Sequence, residues 1–261
     1  MYLNCHTYYS LRYGTLKPER LLAIAAENGI KTLVLTDINN TSACLDFVRL
    51  SAKYKIKPLL GVDFRNQTHQ QFILIAKNNT GFFNINTYLS RFLHHSELEI
   101  PEQAPDLEET FVIYPYQHSK IYNLKEREFI GIRPEDLNHL KFSKWNGFRN
   151  KLVVLQTVSF ENKKDFNTHR LLRAIDNNTL LSKLPKNEQG KETDMMFSLK
   201  KIKTIYEEFP ELLENTSTLL KRCVIEFDFS QKTPNNQRSY TNNELLDYRL
   251  LEKLTCQGLY Y

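Results

Sequence analysis

The sequence predicts an α/β protein whose strands curl into a closed or nearly closed barrel, followed by a helical extension. Three observations lead there. Strand-like and helix-like segments alternate over the first half, an order that favours parallel pairing through crossover helices. The chain has 261 residues, enough for one large α/β domain or two small ones. From about Asp165 the strand signal stops and helical periodicity takes over.

The elements follow in order. Tyr2–His6 is a short strand. Lys17–Asn28 reads as a helix, because Pro18 suits a first turn and Gly29 suits the position just past the end. Leu21, Leu22, Ile24, Ala25 and Ala26 give that helix one broad apolar face. Thr32–Thr36 is β-rich. Ser42–Tyr54 is helical, with Leu45, Val48 and Ala52 on one side. Lys57–Phe64 returns to strand, and Gln71–Ala76 is a further strand after a polar turn. Thr80–Leu93 is helical; Phe111–Tyr114, Phe129–Ile132 and Leu152–Thr157 are strands. Helices at Phe166–Asp176, Leu199–Glu207, Pro210–Cys223 and Asn243–Thr255 complete the chain. Between them Lys183–Asp194 is polar, lacks periodicity and reads as a surface loop.

Hydrophobic residues at 41% and charged residues at 25% place the chain among ordinary globular proteins. No apolar run is long enough to span a bilayer, so no membrane role is expected. The opening Met1-Tyr2-Leu3-Asn4-Cys5-His6 has neither the basic nor the apolar region of a secretory signal. Cys5, Cys44, Cys223 and Cys256 are scattered without a CxxC pair, which excludes zinc-ribbon and thioredoxin-like sites. Free thiols fit a cytoplasmic location. The net charge of +5 is interspersed. The short clusters Lys163-Lys164 and Lys200, Lys201, Lys203 read as solvated helix faces, so composition supports no nucleic-acid role.

In α/β barrels chemistry gathers at the C-terminal ends of the strands. Those ends here are Asn4-Cys5-His6, Thr36-Asp37-Ile38-Asn39, Gly61-Val62-Asp63 and Gln156-Thr157-Val158-Ser159. His6, Asp37 and Asp63 could converge there as a hydrolytic metal set, though the same residue types also serve as caps and turn formers. The remaining histidines are His69, His94, His95, His118, His139 and His169. None has metal-ligand spacing, and the adjacent pair His94-His95 lies on a helix, where neighbours point apart. GxGxxG, Walker A, GxSxG and HExxH motifs are all missing.

The strand ends do form a pattern. Asn4-Cys5-His6-Thr7-Tyr8-Tyr9-Ser10-Leu11-Arg12-Tyr13-Gly14 resembles the opening HxH-T-x-YS-xx-DG motif of PHP (polymerase and histidinol phosphatase) domains. Leu33 to Asn40 is similar to their ALTDHGN motif, and Ile56 to Phe64 to IKPIIGxEF. Val154 to Phe160 sits where the family has ATNDVHY. Farther on, Phe209-Pro210-Glu211-Leu212-Leu213-Glu214-Asn215-Thr216, then Arg222-Cys223 and Phe227-Asp228-Phe229, resembles a stretch found in bacterial DNA polymerase III alpha subunits. Glu244-Leu245-Leu246 through Gly258-Leu259-Tyr260-Tyr261 looks like the helix that opens their polymerase core. The order and spacing of these motifs span nearly the whole chain.

The resemblance implies a PHP-like distorted (β/α)7 barrel over residues 1–227, then a linker and the first helix of a polymerase core over 228–261. It also implies a trinuclear metal site of histidines and carboxylates, and here the sequence departs from it. Asn4 stands for the first histidine of HxH, Tyr13 for the aspartate before Gly14, and Ile38 for the histidine of TDH. Thr157 and Ser159 stand for the aspartate and histidine of NDVH, and Asp63 for a glutamate. Only His6 is unchanged, with Asp37 beside the lost position. Two further ligand positions fall in the loosely matched stretch from Glu97 to Asn150 and have no assignment.

Isoleucine donates no electron pair, and neutral Asn, Thr and Ser supply none of the negative charge that clustered divalent ions need. The expectation is therefore a domain without metal or catalytic residues of its own, folded by packing into the space the metals would fill. By resemblance, the parent chain would be a DNA-directed DNA polymerase, a nucleotidyltransferase using Mg. Its partners would be the rest of the alpha subunit, a proofreading exonuclease subunit, and DNA in the parent enzyme, which these residues alone would bind weakly at most. Two other readings compete: an active metal-dependent phosphoesterase, as exonuclease or phosphatase, and a free-standing binding protein.

Overall fold

The computed structural model describes residues 1–95, 97–117, 123–229 and 240–258. It divides into two compact units, Met1–Phe227 and Asp228–Tyr261.

In the first unit β1 (Asn4–Cys5) leads to α1 (Pro18–Glu27), β2 (Thr32–Leu35) and α2 (Cys44–Ser51). β3 (Lys57–Asn66), β4 (His69–Ala76) and α3 (Asn79–His94) follow. Then come β5 (Thr110–Pro115), β6 (Glu128–Ile132), α4 (Leu137–Lys141), β7 (Leu152–Val154) and β8 (Thr157–Val158). The helices α5 (Lys163–Asp176), α6 (Leu199–Ile205) and α7 (Pro210–Lys221) close the unit. The expected segments appear within a few residues of their predicted limits. Short helical turns around α4 and between Lys144 and Lys151 were not anticipated.

A curled mixed sheet runs β2-β3-β4-β5-β6-β7, and β1 pairs in parallel with β8. Tyr2 bridges Leu33, and the Thr36 amide donates to the Cys5 carbonyl at 2.9 Å, so β1 also lies against β2. The alternation of strand and helix suggested parallel pairing, and most neighbours are parallel. β4 is the correction: it runs antiparallel to both β3 and β5. The cause is local. Only Gln67 and Thr68 separate β3 from β4, too few for a crossover, and Gln67 takes the left-handed turn conformation at φ +55°.

Local chemistry sets the helix ends. Pro18 and Pro210 occupy first turns, and Asn78, Asn162 and Ser198 accept backbone N–H bonds as N-caps. Gly29 follows α1 at φ +73°, where a side chain would be strained. The C-terminal helices clamp the sheet: Thr216 Oγ1 accepts the Val154 amide at 2.9 Å, and the Tyr206 hydroxyl donates to the Ile132 carbonyl at 2.7 Å. Lys183–Asp194 is not simply a surface loop. Leu184, Gly190 and Asp194 are buried, because the Asp194 carbonyl accepts the Ser159 amide at 2.9 Å and binds the loop to the sheet end.

The second unit contains α8 (Glu244–Gly258), whose start is fixed by Asn243 Oδ1 accepting the Leu245 and Leu246 amides. Leu245, Leu246, Tyr248, Leu251 and Leu254 are exposed on it. Leu259, Tyr260 and Tyr261, part of the resemblance, lie outside the described residues, as does His118. No helix among the described residues is long and apolar enough to cross a membrane.

Candidate metal centre

The residues singled out at the strand ends come from distant parts of the chain, and the sheet brings them together. β1 delivers His6, β3 delivers Asp63 and β8 leads into Ser159, and all three are fully buried. His6 Nε2 donates to Asp63 Oδ2 at 3.0 Å, and His6 Nδ1 lies 2.8 Å from Ser159 Oγ. Ile38 bridges Asp63, and the Tyr13 ring meets the His6 ring edge-on at 5.8 Å. Asn4 lies just below this group. Its Nδ2 donates to Thr157 Oγ1 at 3.2 Å and its Oδ1 accepts from Thr36 Oγ1 at 2.9 Å.

Asp37 does not join this set. Its carboxylate turns the other way and accepts the Thr7 amide at 2.6 Å and the Thr7 and Ser10 hydroxyls at 2.7 Å each. Those bonds occupy both oxygens and fix the loop after β1. In the same loop a Cβ on Gly14 would lie 1.8 Å from the Thr7 carbonyl oxygen, so only glycine lets the two backbones approach. Burial pushes the Asp37 carboxyl up, and the Thr7 and Ser10 bonds offset part of that. The expected convergence of His6, Asp37 and Asp63 is thus half realised.

Residue Arg65 completes the cluster. Its Nε and NH2 donate to Asp63 Oδ2 at 3.0 and 2.7 Å, it is 4% exposed, and its guanidinium lies 4.9 Å over the Tyr13 ring. Burial alone would raise the Asp63 carboxyl, but Arg65 and His6 hold it well below the usual carboxylate range. Burial likewise disfavours the Arg65 charge, and Asp63 with Tyr13 holds it above its ordinary value. The expectation was a site filled by packing; what fills it is a charged network, and Tyr13 supplies an aromatic face to that cation.

A cavity of about 350 Å³ remains outside the network, lined by Leu11, Tyr13, Ile38, Gln67 and Arg173 among others. Tyr13 and Ile38 stand between that cavity and the buried His6–Asp63 pair. Ion pairs of Asp176 with Arg12 at 2.7 Å and Arg173 at 2.5 Å line its rim.

These side chains do not fit a divalent metal centre. Asp63 Oδ2 is taken by three donors, His6 Nε2 and the Nε and NH2 of Arg65, while Oδ1, though buried, has no hydrogen-bond partner among the described residues. Both Asp37 oxygens are committed elsewhere. No group of three or more His, Cys, Asp or Glu among the described residues could hold a metal ion. A divalent ion on Asp63 would also sit against the buried Arg65 charge, a strong repulsion at that separation.

Two contributors escaped sequence reading. Arg65 carried a signal: it lies two residues beyond Asp63 on one strand, hence on the same face. His169 carried none. Its Nε2 accepts the Gly190 amide at 2.8 Å and its Nδ1 donates to the Tyr13 carbonyl at 2.7 Å, which fixes the neutral tautomer. Burial, with help from Arg173, His6 and Arg65, pushes its pKa down to about 4. His95, read as helical, caps α3 from outside the helix.

An α/β fold with a histidine and a carboxylate at its strand ends defines the class: the PHP domain family matches residues 3–143, and the chain belongs to that family. Relatives narrow the likeness. The chain is 30% identical over 105 residues to DNA polymerase III subunit alpha of Ureaplasma parvum serovar 3, covering 40% of this chain and 11% of that protein. It is 25% identical over 263 residues to DNA polymerase III subunit alpha of Streptococcus pyogenes serotype M3, covering 98% and 24%. The chain thus spans a quarter or less of the length of these relatives. Among solved structures, an amidohydrolase from Chromobacterium violaceum is 16% identical with a TM-score of 0.27, covering 39% of this chain and 40% of that one, too distant to carry an argument.

Proposed function

We propose that this chain is the N-terminal part of a DNA polymerase III alpha subunit, in which the PHP domain supports and docks and catalyses nothing itself. The observation that carries the reading is the Arg65–Asp63–His6–Ser159 network, in which an internal guanidinium stands where a metal-binding carboxylate would meet its cation. The strand-end motifs and a likeness that runs over 98% of this chain and 24% of an alpha subunit support the identity of the parent chain.

Under this reading the curled sheet is the distorted seven-stranded PHP barrel, with residues 152–158 as one interrupted strand. What supports this is that the segment pairs with β6 at Leu152–Val154 and with β1 at Thr157–Val158. The second unit is then a linker and the first helix of the polymerase core. Magnesium-dependent nucleotidyl transfer would reside in the parent chain outside these residues. The remaining alpha subunit, a proofreading exonuclease and DNA are its partners in the cytoplasm.

Two experiments test the reading. Reading the gene beyond Tyr261 should find a long continuation with palm carboxylates; a stop codon there would remove the polymerase assignment. Bis-p-nitrophenyl phosphate with Mn²⁺ or Zn²⁺ should be hydrolysed no faster by the purified chain than by buffer. Hydrolysis abolished by His6→Ala or Asp63→Ala would establish an active phosphoesterase instead.

A further inference from the structure

At the opposite end of the sheet, where β2 and β3 begin, lies an open groove of about 420 Å³. Its floor is apolar, formed by Met1, Ile30, Leu199 and Leu220, and its rim carries Lys31, Lys57 and Lys221. Leu199 also lines an adjoining groove of about 470 Å³ that carries Lys200 and Lys203, with Glu207 beside them.

These five lysines are not neutralised. Among the described residues, the lysines that pair with carboxylates are Lys53, Lys77, Lys125, Lys141, Lys163 and Lys191, all elsewhere. Among the described residues none of the five grooved lysines has such a partner. The contrast with the strand-end network, where the buried Arg65 meets a buried carboxylate, is plain.

We propose that this double groove docks an acidic amphipathic peptide segment, with leucine or phenylalanine side chains on the floor and Asp or Glu side chains on the lysine rim. Charge complementarity calls for an anionic partner. The floor selects its kind. A nucleic-acid strand gains from aromatic stacking platforms and from guanidinium forks on its phosphates, and the lining residues include neither an aromatic ring nor an arginine. An acidic peptide with apolar side chains uses both the charge and the floor, the helix-in-groove or extended-segment pattern of peptide recognition. The site is separate from the strand-end network, so the proposal holds whether or not that network is silent.

The test is fluorescence anisotropy on the 261-residue chain with three probes: a labelled peptide of Glu-Glu-Leu-Phe repeats, the same peptide with Leu and Phe replaced by Ser, and a dT oligonucleotide of equal charge. The first probe should bind, and the serine peptide and the oligonucleotide about tenfold more weakly or worse. Lys31→Glu combined with Lys57→Glu and Lys221→Glu should weaken the first probe at least about tenfold. Ser217→Trp, which fills the groove without changing its charge, should do the same, and covers the case in which the triple variant fails to fold. Lys163→Glu on α5 should leave binding unchanged. Failure of the first probe to bind, equal binding of the serine peptide, tighter binding of the oligonucleotide, or indifference to Ser217→Trp would each overturn the proposal.

Discussion

Two buried carboxylates at neighbouring strand ends are handled in opposite ways. Asp63 meets a full positive charge on Arg65 and an N–H on His6, and it is held below the usual range. Asp37 meets only neutral donors from Thr7 and Ser10, and burial wins, raising it. The difference lies in the partner each carboxylate meets, a charged guanidinium for Asp63 and neutral donors for Asp37. Neutral hydrogen bonds suffice to hold a loop. A carboxylate buried and ionised at a strand end needs a cation, and here the chain supplies its own in Arg65.

The largest expected effect comes from breaking the charged pair. Arg65→Leu would leave Asp63 buried and unpaired, which should cost about 3–5 kcal/mol in denaturant unfolding. Adding Asp63→Asn should recover a large part of that loss. Additive losses in the double variant would show that the two residues are not coupled.

The next effect is a pH dependence centred on His169. Its folded pKa is depressed to about 4 from the ordinary 6.5, so the unfolded chain takes up a proton before the folded one does. Stability should therefore fall as pH drops from about 6.5 to 4, by up to about 3 kcal/mol in total. His169→Phe should flatten that slope. Asp63 acts only at lower pH, because its contribution is present above its unfolded pKa and lost in stronger acid. Asp37, raised, works in the other sense, its contribution being lost as pH rises through its folded pKa. A slope unchanged in His169→Phe would assign the acid sensitivity elsewhere.

Asp37→Asn should be milder, about 1–3 kcal/mol, because it leaves one buried donor badly matched without stranding a charge. A loss as large as that of Arg65→Leu would erase the distinction between the two carboxylates.

Much of this was legible beforehand. Periods of about 3.6 and 2 located the long helices and strands, and Pro18, Gly29 and Pro210 marked ends, because backbone geometry imprints those patterns locally. Pairing direction across the sheet is not local in general, but the two-residue turn Gln67-Thr68 makes β4 antiparallel to β3. At the site, the strand-end rule selected residues that do meet, His6, Asp63 and Ser159 among them. It could not say that Thr7 and Ser10 would capture Asp37, since which way a side chain turns depends on loop donors. The expectation of filling by packing followed from Ile38 and Tyr13 alone. It overlooked that Asp63, once buried, demands a cation, and that Arg65 two residues on shares its face. His169 and the Lys183–Asp194 loop were invisible because their partners are distant in sequence.

The central claim is that an internal guanidinium, and not a metal ion, is the cation that Asp63 meets. Metal content and melting temperature of the purified 261-residue chain, with and without EDTA, test it most directly. The account predicts no stoichiometric divalent metal and a melting temperature that neither EDTA nor added Mn²⁺ or Zn²⁺ moves, since only a ligand of the native state shifts it. A metal near one equivalent per chain, with a melting temperature that drops on chelation, would contradict it.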